Sequence, residues 1–517
     1  MGATLWLAFL LLKDVKAFAQ FEDVSSEHIV MATAGGSYLG CGLSCSDFNG
    51  DGWDDLTMSE TDGTVKLYAG GPDGPELLQT LTGSGEGRGV LWIDVDQDGD
   101  LDLWVVRLEG PIQLYIQGED GALTEESALR GIPQLSGLRP RGLSASDYDR
   151  DGDLDVYIAT YHLEGLPVIY PNLLLKNNGL GTFSEVGEVA GVDNGLKTSF
   201  QGSWFDFDGD GWDDLWVIND RLIFDNSLYR NQGDGTFIDV APDLGLAVSP
   251  DPMTATIFDP DQDGDWDLFA TDVDNYPFQL WEQTPLGYID VADDAGVLGL
   301  PDYGWGACVL DIDGDKSEDL MVATNFFPSE LPSDNRVYMN VGTGMGFIEN
   351  PDVWPNEQYP LYNLGRFDLN RDRAPDIAGF GSLPTVQLLC NINVDGPSRL
   401  ALRLVGTVSN SHAVGAKIKV HHGGISQMQQ IDAGCDYQTQ HSYTRFFGLG
   451  DALVVDSLEV RWPTGVTETW FGLPADSSVV LIEGTADKAL EPLPQLCPWL
   501  PQAWLVPFPS DDVAMTW

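Results

Sequence analysis

The stretch Asp206-Phe207-Asp208-Gly209-Asp210-Gly211-Trp212-Asp213-Asp214-Leu215 decides how this chain is read. Acidic residues stand at positions 1, 3, 5 and 9 of a nine-residue loop, glycine stands at position 6, and an aliphatic residue follows. The ligand-type residues of this copy are Asp206, Asp208, Asp210 and Asp214. The same template occurs six more times. Upstream copies supply Asp47, Asn49, Asp51 and Asp55; Asp94, Asp96, Asp98 and Asp102; and Asp147, Asp149, Asp151 and Asp155. Downstream copies supply Asp259, Asp261, Asp263 and Asp267; Asp311, Asp313, Asp315 and Asp319; and Asp368, Asn370, Asp372 and Asp376.

Hard cations need several oxygen ligands at one point, and alternate residues of a tight loop can aim their carboxylates inward together. The first half of the template reads like an EF-hand loop, but position 12 is Met58, Val105, Ile158, Val217, Ala270, Val322 or Gly379, never Glu. The loop must close at position 9, and strands flank it instead of helices. The expectation is seven Ca²⁺ hairpins. A surface-acidic turn without metal is the plainer alternative, since Asp and Gly are ordinary turn residues. With 26 Asp and 2 Asn at the 28 positions, the repetition argues against it. Copies six and seven carry Lys316 and Arg373 where the others have glycine, so their turns are expected to need a different backbone or to bind more weakly.

The first acids of successive loops are 47, 53, 59, 53, 52 and 57 residues apart. A period near 50 with four short strands per unit is the pattern of a propeller blade. Segments rich in small residues precede the loops, as in Gly87 to Ile93 and Gly304 to Leu310, and suit an innermost strand. A second strand follows each loop, as in Asp214 to Ile218. A third ends in patterns such as Leu228-Tyr229-Arg230-Asn231 and Val337-Tyr338-Met339-Asn340, and a Gly-rich turn leads to a fourth. Phe21-Glu22-Asp23-Val24 is a fourth strand with no blade before it, whereas blade seven stops after its third, at Val386 to Cys390. The N-terminal strand is therefore expected to complete blade seven and leave no open edge. Trp53, Trp212 and Trp266, at loop positions 7 or 8, are read as packing between blades, with sugar platforms as the alternative.

From about residue 398 the loop motif stops. Leu400 to Val405, Ala416 to Val420, Gln427 to Ile431, Ser457 to Trp462 and Val479 to Ile482 read as strands with one solvated face, as in a small β-sandwich. The fold class is thus all-β: a seven-bladed β-propeller with calcium-loop hairpins, followed by a small β-sandwich-like domain. The expected boundaries are a signal peptide over 1–19, the propeller over 20–397, the second domain over 398–486 and a Pro-rich extended tail over 487–517.

At this point the chain resembles FG-GAP/VCBS repeats of the integrin-α-like propeller class, through the seven loops and turns such as Asn231-Gln232-Gly233-Asp234-Gly235-Thr236-Phe237. The C-terminal unit resembles the ASPIC/UnbV domain of cartilage-acidic-protein relatives. The matching residues are Asn410-Ser411-His412-Ala413-Val414-Gly415-Ala416, Gly434 with Tyr437 and Gln440, Phe447-Gly448-Leu449-Gly450, and Val455 to Gly465. The resemblance implies a secreted calcium-binding protein of adhesion or extracellular-matrix type, with the loops as calcium ligands. It implies no particular ligand.

Composition narrows the partners. The net charge is −56, with 81 acids against 25 bases, while hydrophobic residues make up 43%, enough to build a core. Such a field repels nucleic acid and anionic membrane and favours cations and basic partners. Thr4 to Leu12 and Ala17-Phe18-Ala19 read as a short signal sequence, and no later apolar stretch is long enough for a transmembrane helix. Secretion is expected, to the extracellular space, periplasm or cell surface. Cys41, Cys45, Cys308, Cys390, Cys435 and Cys497 show no zinc spacing and read as buried thiols or disulfides.

The functional expectation is a non-catalytic extracellular binding or adhesion module for a protein or glycan. The alternative is a propeller enzyme, lyase or hydrolase, acting on polysaccharide or a secondary metabolite. The sequence names no catalytic residue: nucleophile-elbow, zincin and phosphate-loop motifs are missing. Tyr161-His162 is the one catalytic suspect, and His421-His422 reads as a plain turn. Long insertions between second and third strands add Tyr161, His162, Tyr170, Arg221, Phe326 and Phe327 to the face away from calcium, where a partner is expected near blades three and four.

Overall fold

The computed structural model describes residues 21–35, 37, 39–161, 169–273, 276–299, 303–325, 334–342, 344–355, 358–393, 396–486, 491–492 and 503–505. Strands dominate. Residues 21–391 form seven sheets, each a four-stranded antiparallel meander, and the innermost strands touch one another in a closed cycle. The blades follow chain order, and each innermost strand runs straight into an acidic loop. In six blades the second strand opens on the position-nine aspartate itself, as in Asp102–Leu108 and Asp214–Asp220.

Ring closure follows the expected route. Phe21–Asp23 pairs antiparallel with Gln387–Asn391, in the register Phe21 to Asn391 and Asp23 to Leu389. The last blade therefore takes its fourth strand from the start of the chain, and the ring has no open edge at that blade. Neighbouring blades are joined by a repeated bond. The side-chain amides of Gln117, Asn177, Asn231, Gln283, Asn340 and Asn391, at the end of strand three, donate to the position-two carbonyl of the preceding loop at 2.8 to 2.9 Å. Blade one has Gly70 at this place. Its seam with blade seven is held instead by Asp54, which accepts the Asp368 N–H at 3.0 Å, and by Arg371 stacked over Trp53 at 4.1 Å.

The C-terminal unit is two facing sheets. One orders Arg445–Gly450, Ser398–Val405 and Ser477–Ile482; the other orders Ile425–Gln430, Lys417–His422, Val454–Arg461 and Thr467–Pro474. Two short stretches of the tail are strands: Ala503–Leu505 lies parallel beside Ser477–Ile482, and Glu491–Pro492 pairs with it.

The sequence did not show that this unit threads the ring. Residues 433–443 leave its sheets and enter the centre of the propeller. Thr439–Gln440 pairs in parallel with Leu43–Ser44 of blade one, Ala433 bridges Ala145 of blade three, and Asp436 bridges Ala255 of blade five. The Gln440 amide exchanges bonds with the main chain of Trp92 in blade two, at 2.8 and 2.7 Å. Tyr437 meets Phe200 of blade four and Trp305 of blade six, with ring centroids 5.8 and 5.5 Å apart. In blade seven Asn363 donates to the Tyr437 carbonyl at 2.6 Å, and the Arg366 N–H donates to His441 Nδ1 at 3.0 Å. Every blade touches the plug. Gly434 is required there: its φ is +80°, and a Cβ would lie 2.2 Å from the Leu143 carbonyl oxygen.

The innermost strands are rich in small residues, but not along their whole length. Five of them have a bulge or register shift in their first half, which brings large side chains such as Phe200, Trp305 and Tyr362 to the centre. A plugged channel has volume to fill, and bulges re-aim side chains into it.

Candidate metal centre

Each loop is shaped by two different kinds of aspartate. The position-one carboxylate accepts the backbone N–H of position six through one oxygen. Gly52 donates to Asp47, Gly99 to Asp94, Gly152 to Asp147 and Gly211 to Asp206, at 2.9 to 3.1 Å. That bond needs a left-handed residue at position six, and the glycines there have φ between +84° and +98°. In copies six and seven the different backbone, one of the two expected outcomes, is not found. Lys316 and Arg373 adopt the same turn, with φ +90° and +74°, and their N–H groups still donate to Asp311 and Asp368 at 2.8 and 3.1 Å. The backbone is kept and the local strain is accepted.

The position-nine carboxylate ties the loop to the sheet. One oxygen of Asp55, Asp102, Asp214, Asp319 and Asp376 takes the position-two N–H, at 2.7 to 3.1 Å. In all seven blades the other takes the N–H of the residue that ends strand three: Gly70, Gln117, Asn177, Asn231, Gln283, Asn340 or Asn391, at 2.7 to 2.9 Å. Position nine is therefore structural whether or not it also ligates. Burial pushes these carboxyls up, Asp102 to about 8 and Asp214 and Asp267 to about 9. Burial also raises Asp94 to about 6, and burial with like-charged neighbours raises Asp147 and Asp259 to about 7.

The remaining oxygens decide what can bind. Asp47, Asp94, Asp147 and Asp206 each keep a buried Oδ1 without a hydrogen-bond partner, and Asp259 keeps both oxygens so. Asp96 Oδ1, Asp149 Oδ1, Asp155 Oδ2 and Asp267 Oδ2 are in the same condition. One oxygen each of Asp94, Asp96 and Asp102 lies within 4.8 Å of the others. The same holds for Asp147, Asp149 and Asp155, for Asp206, Asp208 and Asp210, and for Asp259, Asp261 and Asp263. Buried anionic oxygens without donors are costly alone, and a hard cation among them removes that cost. Loops six and seven satisfy themselves more fully: Asp311 Oδ1 takes the N–H of Gly314 and Asp315, and Asp368 Oδ1 that of Asp372.

This geometry coincides with two family matches. The FG-GAP-like repeat matches residues 47–105, 94–158 and 206–270, and ASPIC and UnbV matches residues 406–488. The chain carries FG-GAP-like repeats and a C-terminal ASPIC and UnbV domain. Among solved structures it is similar to BBS1N, solved in complex with ARL6DN, at 13% identity and a TM-score of 0.44. It is also similar to Saccharomyces cerevisiae Sqt1, at 12% identity and 0.41. Each likeness covers 72% of this chain and 97% of the other. No curated protein matches the chain.

The ASPIC and UnbV domain sits on the loop side of the FG-GAP ring. Arg403 pairs with Asp47 at 2.9 Å, Lys417 with Asp206 and Asp213 at 3.2 Å, and Ser411 donates to Asp94 at 2.7 Å. These contacts use the outer oxygen of each position-one aspartate and leave the inner one free. The reading of the sequence missed the acids at position eight. Asp54, Asp213 and Glu318 receive Ser442, Lys417 and Gln429 from the docked domain. Their departure from the aliphatic or aromatic residue that loops two, three and five place there was the available signal.

Other candidates resolve differently. Tyr161 is buried at 3% exposure; its hydroxyl donates to Asp220 and accepts from Arg221 at 2.6 Å, so it is a packing residue and no surface recognition group. Tyr170 is half-buried and Arg221 exposed, whereas His162, Phe326 and Phe327 lie outside the described residues. Trp212 stacks under Arg150 at 4.3 Å, as Trp53 does under Arg371, and Trp266 is buried; all three serve blade packing. His422 is buried against Gln427 and alternates with His421 along one strand. Cys435, Asp436 and His441 cluster inside the channel, but His441 accepts a backbone N–H at Nδ1 and faces Asp436 through Nε2 at 2.7 Å. Both ring nitrogens are committed, so the cluster is a structural dyad beside a thiol. Cys41, Cys45, Cys308, Cys390 and Cys435 are unpaired, and Cys497 is outside the described residues.

Proposed function

We propose that the chain is a secreted, calcium-stiffened scaffold that binds an extracellular protein or glycan without catalysing a reaction. The observation that carries the calcium part is the set of buried, donor-free oxygens at position one of loops one to five. Ca²⁺ takes six to eight oxygens in flexible geometry, which suits aspartates at alternate loop positions, whereas Mg²⁺ prefers a tighter octahedral shell that keeps several waters. Loops six and seven would hold the ion less firmly, since their first aspartates already take backbone donors.

The partner reading follows from which face is taken. The protein's own C-terminal domain occupies the loop side, so a macromolecule has the opposite face available. There, near blades three to five, Leu196, Leu222, Ile223 and Tyr276 are 55%, 47%, 78% and 43% exposed beside Arg221. Loops on a rigid scaffold that present apolar groups with a polar rim are where recognition concentrates. Secretion fits a calcium-rich medium.

The test is a screen of secreted proteins and glycans in millimolar Ca²⁺, repeated with a chelator and with the variants Ile223→Asp and Phe471→Asp. Binding that requires calcium, is lost in Ile223→Asp and survives Phe471→Asp, a control on the C-terminal domain, is the expected result. Binding indifferent to Ile223 would move the interface elsewhere.

A further inference from the structure

We propose that Lys176 and Arg230 are tethered counter-cations that weaken calcium binding at loops three and four of this chain. This rests on the reading of the loops as calcium sites. The bond from strand three to position nine fixes an equivalent residue in every blade, the one just before the donor. In blades three and four it is Lys176 and Arg230, before Asn177 and Asn231. The other five blades place Ala69, Ile116, Glu282, Met339 and Cys390 there, so a base occurs only twice.

Both bases lie across positions three and five of their own loop. Lys176 Nζ bonds Asp149 and is 3.3 Å from Asp151; Arg230 Nη2 is 2.7 Å from Asp208 and 3.8 Å from Asp210. They hold the outer carboxylates only. The inner oxygens, Asp147 Oδ1 and Asp206 Oδ1, stay buried and donor-free on aspartates that are 7% and 3% exposed. A divalent ion thus still has a seat in each loop, but it must share two of its carboxylates with a cation that is covalently present at all times. Loop five is the opposite case. Glu282 occupies the equivalent place, and both oxygens of Asp259 are buried without donors. Calcium is therefore expected to fill loop five before loops three and four. Loop four has the template that reads best in sequence, so motif quality and affinity part company here.

Calcium titration of the full chain, by competition with a chromophoric chelator, tests this in the wild type, Lys176→Met/Arg230→Met and Glu282→Lys. The wild type should show a group of weaker sites, loops three and four among them. In the double variant two of these should gain about fivefold each, the scale on which a screened surface ion pair acts. Glu282→Lys should weaken one further site by a similar factor. Isotherms unchanged by all substitutions overturn the inference while leaving calcium binding intact. No calcium binding in any of the three proteins overturns the inference together with the reading on which it rests.

Discussion

The ring and its plug are held together in opposite ways. In the ring, one pair of aspartates and one strand-three amide are reused from blade to blade, so its contacts can be stated as positions in a repeat. In the plug, eleven consecutive residues, 433–443, make a different contact with each blade: a parallel strand pair with Leu43–Ser44, an amide clasp on Trp92, aromatic packing on Phe200 and Trp305, and a histidine on Arg366. Repetition makes neighbouring blades stick; the plug makes all seven depend on one segment. Damage to the ring should therefore be local and graded, and damage to the plug global.

The largest expected effect comes from replacing residues 433–443 by a Gly-Ser linker of equal length. The bulged aromatics and the Trp92 main chain lose their partners together, and the protein should fail to yield a soluble, protease-resistant monomer. A folded ring with an unaltered melt would make the plug an ornament. Removing residues 1–26 should come next. It deprives Gln387–Asn391 of its outer partner and exposes an edge, giving rapid proteolysis within blade seven, while a control starting at Gln20 stays intact.

Within the ring the two kinds of aspartate should separate cleanly. Asp214→Asn leaves one of two backbone donors badly served and should cost about 1–3 kcal/mol with or without calcium. Asp259→Asn removes an unpartnered buried charge. It should leave the metal-free melt unchanged or slightly raised, and abolish the calcium response of that loop only. Asn340→Ala, which cuts one amide between blades, should cost about 1–2 kcal/mol regardless of metal. Calorimetric melts with and without calcium read all three.

These comparisons also show what the chain discloses about itself. The acidic loops, the repeated sheets and the ring closure were legible because each is local or periodic: an acid every second residue, a period near 50, an orphan strand at one end. The plug was not, because its partners lie 74 to 399 residues away on seven different blades, and a sequence such as Ala433-Gly434-Cys435 has no period to betray it. Gly434, Tyr437 and Gln440 stood out only through a family resemblance, without a reason until the channel supplied one. Tyr161 was misplaced for a related cause: a Tyr-His pair at the start of a long insertion looks exposed, yet Asp220 and Arg221 of the next blade draw it inward. Strand three's Asn/Gln was visible as a repeat, but its reach to the preceding blade needed coordinates.

A dependence on pH should accompany these effects. Burial holds Asp102, Asp214 and Asp267 at about 8 to 9, above the ordinary range near 4 of an unfolded aspartate. Between those limits the folded, metal-free chain binds more protons than the unfolded one, so its stability should fall as pH rises from about 5 to 9. Bound calcium stabilises the ionised form and should remove or invert that slope.

The central claim, that the repeated loops are calcium sites which stiffen the ring, is met most directly by one melt. Protein stripped of metal over chelating resin should melt about 10 °C or more below the same protein in millimolar Ca²⁺, since each site saturated a hundredfold above its Kd adds ~2.7 kcal/mol. Mg²⁺ should restore only a small part of the difference. An identical melting temperature with and without calcium, after verified removal of metal, would contradict the account.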